Sequence, residues 1–181
     1  MRNEYDPLAF TEIGSGRPLL MIHGSLCDYR YWTPQMAAFG EHRRAIAPSL
    51  RRCWPEQWDG AGDGYTVDRH VDDLIAFIAN LDAGAVDLVG HSRGGNVALR
   101  LALKAPALVR RLVLAEPGVM PDDSFVESAN FDRTKAAAWT REAAARIEAG
   151  DVEGGLQQFV DSVSGTAIWK PQGTATTCPG A

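Results

Sequence analysis

The sequence predicts an α/β fold in which a doubly wound, mostly parallel sheet carries helices on both faces. A short continuous apolar run occurs at Pro18–Ile22, and such runs are typical of strands that are buried on both faces. Further strands are predicted at Ala85–Val89 and Val109–Ala115. Helical stripes of apolar residues lie between these strands. Strands that alternate with helices favour a parallel sheet covered by those helices.

The remaining strand candidates and turns have weaker local signals. Leu8–Ile13 has the alternation of a strand, and Gly14-Ser15-Gly16 predicts the turn that follows it. Arg43–Ala47 is a weaker strand candidate that ends at Pro48. Residues 49–64 are rich in Gly, Pro, Trp and Arg, and this composition predicts a loop.

Two helices are predicted between the strands. Thr66 is suited to cap the first helix, because its hydroxyl can accept a hydrogen bond from the first turn. The apolar residues of that helix share one stripe; they are Val67, Val71, Leu74, Ile75 and Ile78. Asn96–Ala105 is the second helix, with its small and apolar residues on one side.

The character of the sequence changes after Gly118. Thr134–Ala149 is rich in alanine and ends at Gly150, and Asp151 is suited to cap a further helix. No strand pattern occurs there. We therefore predict a core domain at residues 1–118, a partial helical lid insertion at 119–165 and an unpatterned tail at 166–181.

Composition excludes several classes of partner. The formal net charge of the 181-residue chain is −5, which argues against nucleic acid or an anionic membrane as the main partner, because both require a basic surface. The three cysteines have irregular spacing, so neither a disulfide framework nor a metal site is predicted. No signal peptide or membrane-spanning run is visible, and we expect a soluble, cytoplasmic protein. The sequence does not predict an oligomeric state.

The chemistry centres on the pentapeptide Gly90-His91-Ser92-Arg93-Gly94. A G-x-S-x-G match alone is weak, but this one directly follows a predicted strand and directly precedes a predicted helix. A serine at such a corner has a strained backbone and needs small residues two positions away on each side. The helix N-terminus beneath Ser92 favours a developing negative charge, and the N–H of Arg93 is the expected donor to an oxyanion.

A second donor is expected from the loop after an earlier strand. His23-Gly24-Ser25-Leu26 follows the apolar run that ends at Ile22. Gly24 allows the backbone to approach a substrate closely, and the N–H of Ser25 or of Leu26 would complete an oxyanion hole.

The segments Leu20–Ser25, Tyr31–Gln35 and Val89–Gly95 resemble the α/β-hydrolase superfamily, in particular its lid-bearing esterase, C–C hydrolase and haloperoxidase-like branch. The resemblance covers roughly residues 8–165. It implies a Ser–acid–His triad with Ser92 as nucleophile, no cofactor, and a small-molecule substrate held under a helical lid. It also implies structural roles for His23 and His91 beside the corner.

The sequence departs from the family's chain order of Ser, then Asp or Glu, then His. None of the four histidines follows Ser92. We interpret the chain as lacking the family's last strands, which leaves Val109–Ala115 as an exposed apolar edge. Glu116 is a weak candidate for the triad acid, while Asp122 and Asp123 are less well placed.

Two functions therefore remain open. The first is hydrolysis of a small ester or related acyl compound, and perhydrolase or C–C hydrolase chemistry is not distinguishable from it. The alternative is a catalytically incompetent fragment or a degenerate binding protein that lacks the triad histidine.

Several side chains have local expectations. His70 is expected to be partly exposed and His42 to lie in a surface loop. Arg93 is expected either to touch substrate or to be solvated, and Cys27 to be a buried, inert thiol near the pocket. Three aromatic residues are expected to belong to the core rather than to the pocket: Trp32, Trp139 and Phe159.

Overall fold

The computed structural model describes residues 7–57, 64–119 and 133–164, with side chains from residue 138 onward in the last range. The chain forms two compact units, residues 1–119 and 120–181. The predicted tail at 166–181, Asp122 and Asp123 lie outside the described residues. The predicted lid function of the second unit stays a prediction.

A mixed five-stranded sheet forms the centre of the first unit. Its strands are β1 Phe10–Ile13, β2 Pro18–Ile22, β3 Arg44–Pro48, β4 Val86–His91 and β5 Val109–Ala115. The spatial order is β1-β3-β2-β4-β5. Only β1 runs antiparallel to its neighbour. The predicted strands are confirmed, with shifts of one or two residues at their ends.

Three helices connect these strands. They are α1 Thr33–Gly40, α2 Val67–Asn80 and α3 Arg93–Lys104. Short 3-10 turns precede α1 at Tyr29–Trp32 and β5 at Pro106–Leu108. Thr66 caps α2 as predicted, because its hydroxyl accepts a hydrogen bond from the N–H of Arg69 at 3.1 Å.

Both faces of the sheet are covered, which confirms the doubly wound prediction. On one face, Leu20, Ile22 and Ile46 pack with the apolar stripes of α2 and α3. On the other face, Met21 packs with Met36 of α1 and with Trp32, which is only 7% exposed. Because alternate residues of a strand point to opposite faces, the continuous apolar run of β2 serves both layers.

The second unit contains two helices, α4 Arg133–Glu148 and α5 Val152–Ser164. Trp139 of α4 meets Phe159 of α5 edge to face, with 5.3 Å between ring centroids. Gly155 is buried. A Cβ at this position would touch the carbonyl oxygen of Ala143, so α4 and α5 approach closely there. No helix in the described ranges has the length and apolar character needed to cross a bilayer.

Candidate active site

The site lies at one edge of the sheet because the chain leaves three parallel strands there. β2, β4 and β5 run in the same direction, and Ile22, His91 and Ala115 are their last residues. Loops that follow parallel strands meet at the carboxyl edge of a sheet, where ligands of open α/β folds bind.

Ser92 occupies the corner between β4 and α3. Its φ of 51° and ψ of −122° place it in a conformation that L-residues rarely adopt. The backbone N–H of Ser92 donates to the carbonyl of Ala115 at 3.0 Å, which ties the corner to the end of β5. The Ser92 hydroxyl makes no hydrogen bond to the backbone of α3, so it does not act as the cap of that helix.

Glycines make this corner sterically possible. A Cβ at Gly90 would collide with the carbonyl oxygen of Gly94. A Cβ at Gly94 would lie 2.5 Å from the carbonyl oxygen of Ile22, well inside van der Waals contact. The backbones of β4, α3 and β2 are therefore too close to one another at Gly90 and Gly94 to leave room for a side chain.

The segment after β2 lies directly against the corner. A Cβ at Gly24 would be 3.2 Å from Cβ of Ser92 and 3.1 Å from Nδ1 of His91. Leu26, two residues on, has a positive φ of 57°. The structure thus brings Gly24 and Ser92 together, as the sequence predicts.

The loop after β5 adds a support that the sequence did not predict. Gly118 donates its N–H to the carbonyl of Ser92 at 2.9 Å, and the side-chain amide of Asn96 donates to the carbonyl of Gly118 at 2.9 Å. These bonds join α3, the corner and the β5 loop. Nothing local in Pro117-Gly118 reveals them, because both partners come from another part of the chain.

His23 is fully buried and acts as a backbone bridge. Its Nε2 accepts a hydrogen bond from the N–H of Leu50 at 3.0 Å, and its Nδ1–H donates to the carbonyl of Gly24 at 2.9 Å. Burial lowers the pKa of His23, against the smaller raising effect of the Gly24 hydrogen bond. The ring is therefore neutral, and the lone pair on its Nε2 is already used to accept the hydrogen bond from Leu50.

His70 was expected to be partly exposed, and this expectation is wrong, because its side chain is fully buried. Arg93 Nη1 donates to Nδ1 of His70 at 2.8 Å, and Nε2–H of His70 donates to the carbonyl of Arg51 at 3.2 Å. Burial, followed by the Arg93 charge, lowers the pKa of His70 to about 4. The half-buried Arg93 side chain is thus held inside the unit, with its guanidinium 4.5 Å above the ring of Tyr65.

His91 and Glu116 lie beside the corner without forming a tight pair. The His91 ring stacks on Tyr31 at 5.0 Å between centroids. Its Nε2 lies 4.0 Å from a carboxylate oxygen of Glu116, whose side chain is 91% exposed. His42 is exposed in the turn after α1. Glu116 therefore lies at the correct edge of the sheet but in solvent.

The other expected residues occupy mixed environments. Cys27 is half-buried rather than buried, and burial raises the pKa of its thiol. Trp32 belongs to the core, whereas Trp139 and Phe159 are only half-buried. In the described ranges, no cluster of three or more His, Cys, Asp or Glu residues has the arrangement to hold a metal ion.

Comparison with curated proteins finds hydrolases. The chain is 36% identical over 106 residues to 2-hydroxy-6-oxo-2,4-heptadienoate hydrolase of Pseudomonas putida strain F1, covering 57% of this chain and 38% of that protein. It is 38% identical over 104 residues to 2-hydroxymuconate semialdehyde hydrolase of Pseudomonas sp. strain CF600, covering 56% of this chain and 36% of that protein. The chain therefore spans less than two-fifths of the length of these relatives.

Comparison with solved structures also finds hydrolases. A thermophilic esterase from Thermogutta terrifontis superposes with a TM-score of 0.63 at 26% identity, covering 86% of this chain and 52% of the esterase. The alpha/beta hydrolase family model matches residues 19–179. The strands, the glycine-lined corner and this match lead to one conclusion: the chain belongs to the alpha/beta hydrolase family.

Proposed function

We propose that this protein is a hydrolase of a small ester or related acyl compound and that Ser92 is its nucleophile. One observation carries the proposal: the strained Ser92 corner and the Gly24 segment lie in direct contact at the carboxyl edge of the sheet. We infer from this contact that the Ser92 hydroxyl lies beside two sets of backbone amides, which is what acyl transfer requires.

The chemistry follows from these groups. The Ser92 oxygen attacks the acyl carbon, and the carbonyl oxygen gains negative charge as the tetrahedral intermediate forms. Arg93 is the first residue of α3, so its N–H has no partner within the helix and is free to hold that oxygen. The N–H of Ser25 or Leu26 supplies the second bond. A base takes the proton of the Ser92 hydroxyl during the attack and passes it to the leaving alcohol as the ester C–O bond breaks. Water then adds to the acyl carbon and gives a proton through the same base to the Ser92 oxygen as the Ser92–acyl bond breaks, which releases the acid.

The general base is the missing part. In the family's chain order the base is a histidine that follows Ser92, and no histidine follows Ser92 here. His23 and His70 have their lone pairs committed to Leu50 and Arg93, His42 is exposed in the turn after α1, and the His91 ring is stacked on Tyr31. We therefore propose that the base is supplied from outside these 181 residues. Without it, only oxyanion stabilisation and binding remain, about 10³–10⁴-fold over water. Glu116 is the weaker part of the proposal, as the acid that would orient such a base.

The relatives support the reaction class. The two curated relatives are hydrolases by name, and the superposed Thermogutta protein is an esterase. Carbon–carbon bond and ester hydrolysis both use an acyl carbon as electrophile, so Ser92 would serve either reaction.

The test is ester hydrolysis with chemical rescue of the base. p-Nitrophenyl acetate is offered to the chain and to Ser92→Ala, each with and without imidazole. We expect a slow rate that depends on Ser92 and that imidazole raises more in the unchanged chain than in the variant. The difference between the two proteins removes the contribution of free imidazole.

Equal rates for the two proteins under both conditions would contradict the nucleophile assignment. That outcome would favour the alternative, a protein that binds an acyl compound without turning it over. Far-UV circular dichroism of Ser92→Ala checks that the variant keeps the fold.

A further inference from the structure

A cavity of about 420 Å³ lies within the first unit, against the loop that follows β2. Its volume is in the range of small-molecule sites, about 300–1,000 Å³. One wall is the segment from Leu26 to Asp28, which continues directly from Gly24; the others are formed by residues 52–54 and Tyr65. Tyr65 also lies under the guanidinium of Arg93, at 4.5 Å. The cavity is therefore lined by Leu26, one of the two candidates for the second oxyanion donor, and it adjoins the Arg93 side chain through Tyr65.

Hydrogen bonds and ring contacts join the walls of the cavity to each other. The hydroxyl of Ser49 accepts a hydrogen bond from the N–H of Tyr29 at 3.1 Å and donates to the carbonyl of Trp54 at 2.6 Å. The rings of Tyr29 and Trp54 meet edge to face at 5.5 Å. Arg30 lies 4.0 Å over the ring of Trp54. The loop after β2 and the loop after β3 thus form one preformed surface.

The two charged side chains of the lining have ion partners within the protein. Both carboxylate oxygens of Asp28 accept hydrogen bonds from Arg30, at 2.8 and 2.7 Å. Burial alone would raise the pKa of Asp28, but the Arg30 hydrogen bonds outweigh it and lower the pKa. Arg52 lies 3.8 Å from a carboxylate oxygen of Glu56. Each charged side chain of the lining thus has an oppositely charged neighbour within the protein.

The other lining groups are neutral and polarisable. Burial raises the pKa of Cys53 to about 11 and also raises that of Cys27, so both thiols are protonated at neutral pH. Trp54 and Tyr65 add aromatic surface. A carboxylate placed here would lose its hydration and would compete with Glu56 for Arg52, whereas an aromatic ring would gain contact with rings and sulfur.

We propose that this cavity receives the acyl group of the substrate and that it selects uncharged aromatic acyl groups, such as arylacetyl. The inference rests on the proposed function for the identity of the bound group, because the acyl chain must extend from the carbon next to Ser92. Binding of the free group in the cavity does not depend on Ser92.

The binding test compares two ligands of the same shape. Phenylacetamide is neutral, and phenylacetate carries a charge at pH 7. Tryptophan indoles are labelled with ¹⁵N, and the Trp54 signal among the five tryptophans is assigned with Trp54→Phe. We expect a saturable shift of the Trp54 signal at phenylacetamide concentrations on the order of millimolar, and at least about tenfold weaker binding of phenylacetate.

A variant that fills the cavity provides the matched control. Cys53→Phe should remove the phenylacetamide response, while Leu103→Phe, on the exposed outer face of α3, should keep it. The Trp32 signal reports whether Cys53→Phe retains its core. If Cys53→Phe fails to fold, the affinities of the unchanged chain for phenylacetamide and for phenylacetate still test the proposal. Equal affinity for the two ligands, or no response of Trp54 to either, would overturn the proposal.

An ester series separates this inference from the proposed function. With a p-nitrophenyl phenylacetate substrate, we expect at least about tenfold higher Ser92-dependent kcat/KM than with the acetate, and Cys53→Phe should remove that advantage. If Ser92→Ala binds phenylacetamide normally but no rate depends on Ser92, only the nucleophile assignment fails. If rates depend on Ser92 but the phenylacetyl advantage is absent, only the cavity assignment fails.

Discussion

The guanidinium of Arg93 donates a hydrogen bond to Nδ1 of His70 at 2.8 Å, and this contact joins the corner of the site to helix α2. The connection continues through Nε2–H of His70 to the carbonyl of Arg51. The Arg51 guanidinium in turn donates hydrogen bonds to both carboxylate oxygens of Asp73, each at 2.7 Å. The first residue of α3 is therefore fixed to α2 and to the loop after β3 by a buried polar chain.

Replacing His70 should destabilise the first unit. His70→Leu removes the acceptor of the Arg93 guanidinium and the donor to the Arg51 carbonyl, and both partners are then left inside the protein without their bonds. We expect a loss of about 1–3 kcal/mol in the free energy of unfolding, measured by urea denaturation. Asp72→Asn on the same helix breaks only the exposed ion pair with Lys104 and should cost no more than about 1 kcal/mol. Equal midpoints for the two variants would contradict this role of His70.

His70 should also make stability depend on pH. Its folded pKa of about 4 lies below its ordinary value of 6.5. The unfolded chain therefore binds the proton first as pH falls. The stabilising contribution is complete above pH 6.5 and is lost on acidification toward pH 4, by about 2 kcal/mol between pH 7 and pH 5.

The measurement is a set of urea titrations at pH 7 and pH 5 on the unchanged chain and on His70→Gln, which cannot titrate. The difference in slope isolates His70 from other groups, among them His23, whose pKa burial also lowers. Parallel pH dependences for the two proteins would refute the assignment.

The sequence predicted those parts of the site that depend on local order along the chain. The strand–serine–helix corner and the Gly24 segment are local patterns, and the parallel sheet brings them together. The burial of His70 was missed although a signal existed, since it lies three residues after Val67 and four before Leu74, on the apolar stripe of α2. The Gly118 bond to Ser92 had no local signal, because it depends on how the β5 loop folds back.

Gly94 should tolerate no side chain. Gly94→Ala would set a Cβ 2.5 Å from the carbonyl oxygen of Ile22, so β2 and α3 would have to separate. We expect a loss of about 3 kcal/mol in the free energy of unfolding, despite alanine's helical preference. Gly118→Ala is the matched control, because its nearest contact is an ordinary 3.4 Å. It should change stability by less than about 0.5 kcal/mol. A small effect at Gly94 would show that the corner can relax.

Two adjacent glycines of α5 should respond differently to the same substitution. A Cβ at Gly155 would lie 2.7 Å from the carbonyl oxygen of Ala143 and 2.5 Å from Cγ1 of Ile147. Backbone cannot yield cheaply, so Gly155→Ala should force α4 and α5 apart and cost about 1–3 kcal/mol.

At Gly154, the nearest atoms to a Cβ would be the ends of the Arg146 and Asp151 side chains. Moving the Asp151 carboxylate costs its hydrogen bond to the Gly154 N–H. The gain in helix propensity of up to about 1 kcal/mol offsets that loss, so Gly154→Ala should change stability by less than about 1 kcal/mol. Urea denaturation of both variants, followed by circular dichroism at 222 nm, measures the difference. Because both substitutions add the same methyl group to the same helix, equal shifts would mean that the close approach of α4 and α5 at Gly155 does not limit stability.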